Sequence, residues 1–173
     1  SAPIVFSEPG VRIFGEGGAR SHYRGAPLKN GSIYAKAGTS SVFDLGASRT
    51  TGNVADNWTV ENISMVSVTA NYLTNGITFT SKTDGPDRGA VINQCSGSGL
   101  NYAVSVPSRG TQTALANLTV EKCVFNGNRV AISALSGQTV CTRIVGNQLE
   151  QTVVSLHPDN ASYCSQDSDM VLG

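Results

Sequence analysis

Two glutamates occupy matching positions in separate copies of one sequence pattern. Glu61 stands in WTVENISM and Glu121 in LTVEKCVF, while AVINQCSG between them carries Asn93 at the same place. Apolar residues alternate within each copy, so the residue after an inward Val or Ile points outward. If the copies stack as neighbouring strands, the two carboxylates lie about 9 to 10 Å apart. Inverting glycosidases hold an acid and a base roughly 6.5 to 9.5 Å apart, which makes both glutamates candidate catalytic residues. Outward glutamates are also ordinary solvated surface, and both interpretations stay open.

A second group of candidates lies in the segment SKTDGPDRGA. It supplies Asp84 and Asp87 as candidate catalytic carboxylates, with Lys82 and Arg88 as candidate ligand-binding cations. The planar fork of an arginine matches the carboxylate of a uronic acid, and carboxylates accept hydrogen bonds from sugar hydroxyls. The alternative is a plain turn, since Asp-Gly-Pro-Asp is strong turn chemistry in its own right.

Two other stretches carry candidate ligand-binding residues. LHPDNASY contributes His157 and Asp159, and a histidine titrates near neutral pH, as an acid or base must. RSHYRGAPLKNGS contributes Arg20, Tyr23 and Arg24, and it is the most basic and aromatic stretch of the chain. This second stretch suits recognition of an anionic sugar better than catalysis.

The elements that position these residues are short strands in an elastic repeat. Val60, Ile92, Val120 and Ile144 occupy one aligned position, at intervals of 32, 28 and 24 residues. Self-similarity at such periods marks a solenoid, in which stacking of units supplies the core. The shrinking interval indicates that strands keep their register while surface loops change length. No stretch shows a sustained helical stripe, so the pattern predicts an all-β chain.

Composition narrows the possible partners. The 173 residues carry 12 basic and 12 acidic side chains, for a formal net charge of zero, and no cluster of Lys and Arg stands out. This argues against a protein that binds nucleic acid and against one that binds a membrane surface through a basic helix. No apolar run is long enough to insert into a membrane. A neutral ligand, a protein or a polysaccharide remains. No linker divides the chain, so residues 1–173 are predicted to be one domain.

The sequence predicts neither a cofactor nor a metal site. No phosphate loop or dinucleotide fingerprint occurs, and the four cysteines follow no zinc spacing. Cys95 and Cys123 occupy equivalent positions in adjacent units and should stack about 4.8 Å apart, as buried thiols rather than as a disulfide. Whether Cys141 and Cys164 form a disulfide stays open, because sequence cannot fix the connectivity.

The repeated units TVEKCVFNGNRVAIS and RIVGNQLEQTVVSL look like coils of a right-handed parallel β-helix. They resemble the pectate-lyase-like superfamily and, within it, the tailspike and tail-fibre proteins of bacteriophages; PGVRIFGEGG is similar to an early coil. The resemblance runs from about Ile4 to Leu156 and implies a solenoid with coils of 24 to 32 residues, followed by an irregular tail from about residue 158. Members of this family usually begin with a cap, whereas SAPIVFSEPG enters the solenoid directly. We therefore expect a fragment of a longer chain, or an end that a partner covers.

The resemblance also implies a function. It suggests a tailspike-like virion protein that binds host surface polysaccharide, with depolymerisation left open, in the virion tail or another extracellular setting. The expected assembly is a homotrimer. The alternatives are a secreted bacterial polysaccharide lyase or glycoside hydrolase, and a non-enzymatic structural fibre or capsid-associated module. The same fold serves all three, so the fold alone does not choose among them.

Overall fold

The structure is a computed structural model. It describes residues 2–6, 8–15, 32–36, 38–46, 55–67, 72–80, 87–106, 115–134, 139–140, 142–150, 154–158 and 171–172. These residues form short strands and no helix, so none of them belongs to a helix that could cross a membrane.

The strands follow one another along the chain as β1 (Ile4–Phe6), β2 (Arg12–Phe14), β3 (Ser32–Ala35), β4 (Ser41–Leu45), β5 (Ala55–Glu61), β6 (Ser64–Ser67), β7 (Asn75–Phe79), β8 (Asp87–Asn93), β9 (Ser96–Ser98), β10 (Tyr102–Val106), β11 (Leu115–Glu121), β12 (Val124–Asn126), β13 (Val130–Ala134), β14 (Thr139–Val140), β15 (Arg143–Val145), β16 (Gln148–Glu150), β17 (Val154–Pro158) and β18 (Val171–Leu172).

The strands assemble into three sheets in which every pairing is parallel. Sheet A has the order β1-β4-β7-β10-β13-β17, sheet B has β2-β5-β8-β11-β15-β18 with β14 also against β11, and sheet C has β3-β6-β9-β12-β16. Consecutive strands such as β5, β6 and β7 belong to sheets B, C and A, and the next three strands, β8, β9 and β10, belong to the same sheets in the same order. The predicted all-β parallel β-helix is confirmed.

The register of sheet B confirms the elastic repeat. Val60 pairs with Ile92, Ile92 with Val120, and Val120 with Ile144, at the predicted intervals of 32, 28 and 24 residues. In sheet A, Tyr102 pairs with Val130 at the predicted interval of 28. Loop length therefore changes from coil to coil without shifting the strands.

The interior is filled by the inward columns of the three sheets. Trp58 is its largest buried side chain; its ring centroid lies 6.0 Å from that of Phe79, and its indole Nε1–H donates to the carbonyl oxygen of Glu8 at 2.9 Å. That bond satisfies the one polar group of the indole, so the ring can be buried without an unpaired donor.

A sharp corner follows β5, β8, β11 and β15 in sheet B. Asn62, Gln94, Lys122 and Gly146 stand at this corner with φ of 56°, 52°, 54° and 62°, the left-handed region. Each of the first three donates its backbone N–H to a carbonyl of the next coil; Gln94 N–H, for example, bonds Glu121 O at 3.0 Å. The same corner recurs in successive coils. It fixes the direction of the side chain that precedes it, which is Glu61, Asn93, Glu121 or Val145.

Cys95 and Cys123 follow this corner as buried free thiols, as expected from their equivalent positions. The Sγ of Cys95 lies 3.4 Å from Val60 O, and that of Cys123 lies 3.6 Å from Ile92 O. Asn147 repeats the contact in the next coil with an amide donor. Burial raises the pKa of the Cys123 thiol well above its usual range, and the neighbouring Cys95 raises it further. Cys141 and Cys164 lie outside the described residues.

Gly76 tests how tightly the coils stack. A Cβ at this position would overlap the backbone carbonyl of Ala103 in the next coil. We expect Gly76→Ala to lower the free energy of unfolding by about 1–3 kcal/mol, because a backbone contact cannot be relieved by a rotamer change. Urea denaturation measures the effect. Gly97→Ala, whose Cβ would meet only side chains at 3.0 Å and beyond, is the matched control and should cost less.

Cys123 should make stability depend on pH in the alkaline range. Its pKa is raised in the folded chain, so the fold holds this proton more tightly than the unfolded chain does. The stabilisation is complete below the unfolded thiol pKa of about 8.5 and is lost as pH rises beyond it. Urea denaturation between about pH 7 and pH 10.5 should therefore show a decline that is shallower in Cys123→Ala. Parallel declines in the two proteins would contradict this role.

Candidate functional site

The outer side of sheet B presents its alternate residues to solvent. Along β5, Val60 is buried while Thr59 and Glu61 on either side are partly exposed. Sheet A differs, because successive residues 104–106 are all buried. Among the described residues, sheet B therefore offers a long solvent-facing surface on regular strands.

Two outward columns make up this surface, which we call the sheet B face. The register places them as Arg12, Thr59, Val91, Thr119 and Arg143 in one column, and Phe14, Glu61, Asn93, Glu121 and Val145 in the other. Each column spans five strands, or about 19 Å at ordinary strand spacing.

The predicted placement of the two glutamates is confirmed. Asn93 pairs in register with both Glu61 and Glu121, so the carboxylates stand two strands apart with the amide between them. Asn93 Nδ2 donates to Glu61 Oε1 at 2.9 Å. A neutral amide, rather than a third charge, therefore occupies the position between the two carboxylates.

Each glutamate also faces a guanidinium on an adjacent strand. Arg143 Nη1 donates to Glu121 Oε2 at 3.1 Å, whereas Arg12 Nη2 lies 3.9 Å from Glu61 Oε2, beyond hydrogen-bonding distance. The arginine side chains are 52% and 71% exposed, so each pair contributes at most about 1 kcal/mol. Their charges cancel those of the glutamates, which leaves these two columns without net charge.

Apolar groups complete the face. Phe14 is 69% exposed at one end of the glutamate column, and Val91 is 37% exposed at the centre of the other column. The face therefore combines carboxylate, amide and guanidinium groups with an open aromatic ring. Such a surface can hydrogen-bond hydroxyl groups and pack against the apolar faces of a ligand.

Catalysis by Glu61 and Glu121 would need a water and a glycosidic bond between their carboxyl groups. Asn93 occupies the outward position between them, and one of its hydrogen bonds already goes to Glu61. A substrate would have to lie above the amide for both carboxylates to reach it. The catalytic roles of the two glutamates stay predictions.

The other predicted residues fall into two groups. Asp87 and Arg88 are the first residues of β8, and His157 lies within β17, paired in register with Ser133. A strand thus begins inside the segment SKTDGPDRGA, and the histidine lies one residue before the end of its strand. Lys82, Asp84, Asp159, Arg20, Tyr23 and Arg24 lie outside the described residues.

A second group of polar residues follows one register column of sheet A, which runs from Asp44 through Thr78, Ser105 and Ser133 to His157. Burial raises the pKa of Asp44, while the hydrogen bond from Thr80 opposes the shift. Ser133 is fully buried, so its hydroxyl cannot attack a substrate even though a histidine neighbours it in register. We assign no nucleophilic role to this column.

The sequence analysis did not identify the two arginines and the phenylalanine of the sheet B face, which are Arg12, Arg143 and Phe14. The 24-residue offset that aligns Ile144 with Val120 also aligns Arg143 with Thr119, two positions before Glu121, and that alignment could have revealed the second ion pair. Arg12 and Phe14 flank Ile13, which pairs with Val60 across 47 residues, an interval longer than any that the sequence repeat revealed.

Comparison of the chain with protein-family models, curated proteins and solved structures gives no match.

Asn93→Asp should reveal the electrostatic cost of this column. It would place three carboxylates on consecutive strands, and like charges in direct register are destabilising. We expect a loss of about 1 kcal/mol at pH 7 relative to Asn93→Ser, which removes the amide without adding charge. Stacked acids have raised pKa values in the fold, so the difference should vanish as pH falls below about 4. Urea denaturation at both pH values tests this, and an equal deficit at low pH would mean that packing, not charge, is responsible.

Proposed function

We propose that the chain is a tailspike-like β-helical protein that binds a host surface polysaccharide along the sheet B face. The observation that carries the proposal is the row of hydrogen-bonding side chains Glu61, Asn93, Glu121 and Arg143, which ends at the exposed ring of Phe14. Sugars present hydroxyl edges and apolar ring faces, and this surface offers a partner to each.

The resemblance of the coils to those of tailspike and tail-fibre proteins supports a location in the virion tail and assembly as a homotrimer. The parallel β-helix is compatible with this proposal and with membership of the pectate-lyase-like superfamily. Many unrelated functions use one fold, so the proposal rests on the face rather than on the solenoid.

The face suits a neutral or weakly charged glycan. Both of its carboxylates lie close to guanidinium groups, so the two columns offer no excess charge to attract a strongly anionic or cationic polymer. To bind the carboxylate of a uronic acid through two hydrogen bonds, Arg143 would have to break its hydrogen bond with Glu121. Neutral hydroxyls, in contrast, can bond to the same groups without breaking either pair.

Phe14 and the glutamates should carry binding. We expect Phe14→Ala, Glu61→Gln and Glu121→Gln each to weaken binding of a recognised bacterial surface polysaccharide by about threefold to tenfold, the scale of one aromatic contact or hydrogen bond. Calorimetric titration against a panel of such polysaccharides measures it. Tyr34→Ala removes a comparably exposed ring, 48% against 69%, from sheet C and should leave the affinity unchanged. Equal losses in Phe14→Ala and Tyr34→Ala would exclude the sheet B face.

Depolymerisation is the second candidate, favoured by the two-strand separation of Glu61 and Glu121. Incubation of the bound polymer followed by size analysis tests it. Shortening that either glutamine variant abolishes, even at polymer concentrations high enough to saturate its weakened binding, would assign the residues to hydrolysis. Products with an unsaturated uronic end would indicate a lyase instead, and an intact polymer would leave a binding protein.

A further inference from the structure

The same short motif occurs on two strands of the sheet B face. Residues 57–61 of β5 read Asn-Trp-Thr-Val-Glu, and residues 117–121 of β11 read Asn-Leu-Thr-Val-Glu. The strand between them, β8, carries Gly-Ala-Val-Ile-Asn at the corresponding residues 89–93. The motif therefore occupies alternate strands of the face, and we call β5 and β11 the motif strands.

The polar residues of the motif are accessible to a ligand. Asn57 and Asn117 are exposed, while the threonine and the glutamate of each motif strand are partly exposed. The apolar residues between them are buried in the core. Each motif strand therefore offers an amide, a hydroxyl and a carboxylate in a row, and the two rows lie about 9 to 10 Å apart.

Stability of the stack accounts for only part of this alternation. Glutamates on adjacent strands in direct register would repel each other, which explains Asn93 on the strand between them. Gly89 has a left-handed φ of 81°, and a Cβ there would lie 2.5 Å from Asn57 Oδ1. Neither reason applies to Val91, because threonines in direct register stabilise neighbouring strands. A third threonine would suit the stack, so the valine points to a requirement on the outside.

The column through Val91 reads the same in both directions. It consists of Arg12, Thr59, Val91, Thr119 and Arg143. Val91 is 37% exposed at its centre, with one threonine on each side and one arginine beyond each threonine. Each arginine lies beside the glutamate of the adjacent motif strand. The face thus presents two equivalent polar sets with an apolar position midway between them.

A chain of 1,4-linked pyranoses joined through equatorial bonds has the same repeat. Each sugar advances such an extended ribbon by close to the spacing between strands, about 4.8 Å. Successive sugars are turned over, so the same hydroxyl edge faces a surface at every second sugar. The repeat of the ribbon therefore equals the interval between the motif strands. An extended peptide repeats every two residues, at about 6.8 Å, and would fall out of step with the coils.

We propose that the sheet B face binds a neutral glycan ribbon of this class, laid parallel to the solenoid axis with alternate sugars on β5 and β11. The inference rests on the proposed function and specifies the linkage geometry of the polysaccharide. On each motif strand the threonine hydroxyl donates or accepts a hydrogen bond, and the carboxylate accepts one from a sugar hydroxyl. The sugar between them is turned over and packs its apolar face against Val91.

Calorimetric titration with oligosaccharides of defined length tests the inference. The probes are β-1,4-linked oligomers of glucose, mannose and N-acetylglucosamine with two to six sugars. A disaccharide reaches one motif strand, whereas a trisaccharide reaches both. We expect at least one series to bind about tenfold more tightly at three sugars than at two, the effect of one or two added hydrogen bonds. Oligomers of β-1,3-linked glucose, whose chain curves, are the control and should show no such step.

Three variants locate the step on the face. Thr59→Val and Thr119→Val each remove one hydroxyl and should weaken trisaccharide binding by about threefold to tenfold. Disaccharide binding can use the other motif strand and should weaken by about twofold at most. Val91→Thr adds a hydroxyl to the strand between them and should not strengthen binding, because the sugar above it presents its other edge. All three variants should first show an unchanged unfolding midpoint.

The outcomes separate this inference from the proposed function. Binding of a bacterial surface polysaccharide with no step in any β-1,4-linked series would overturn the inference alone. The same step in the β-1,3-linked series, a step that both threonine variants retain, or a gain with Val91→Thr as large as the loss with Thr59→Val would also overturn it. Failure to bind every bacterial polysaccharide and every oligosaccharide would overturn both.

Discussion

Hydrogen bonding between successive coils is the constraint on which the rest of the structure depends. Strands of two to seven residues have no independent stability, so each must find its backbone partners in neighbouring coils. The left-handed corner at Asn62, Gln94 and Lys122 turns three successive coils at the same point and directs the backbone N–H of each corner to a carbonyl of the next coil. A residue before the corner consequently stands directly beside its equivalent in the next coil.

Stacking of equivalent positions dictates which side chains a column can tolerate. Identical charges in register repel, and the glutamate column avoids this by placing Asn93 between Glu61 and Glu121. Each carboxylate then finds an arginine on the strand beyond it rather than another acid. The arrangement that makes the stack stable is also the one that lines up hydrogen-bonding groups on the outside. The proposed binding and the stability of the stack therefore depend on the same residues.

Sequence periodicity predicted the fold and the glutamate column because inward positions recur however long the loops are. The aligned register of Val60, Ile92 and Val120 needs only alternation within strands and similarity between coils. The ion pairs were missed because their partners are in different coils, joined diagonally across loops of changing length. Burial of both faces of sheet A at residues such as Ser105 could not be foreseen either, since alternation predicts one solvated face.

The shape of the sheet B face limits how a polymer can lie on it. Left-handed residues bound the strands on both sides, with Gly89 before the outward pair Val91 and Asn93, and Gln94 after it. Only two outward positions fit between these bends, about 7 Å across, whereas the columns extend about 19 Å along the solenoid. A chain of sugars laid along a strand would leave the face after a single residue. An extended polymer that runs parallel to the solenoid axis instead meets a new pair of side chains at every coil, so contact grows with the number of coils stacked.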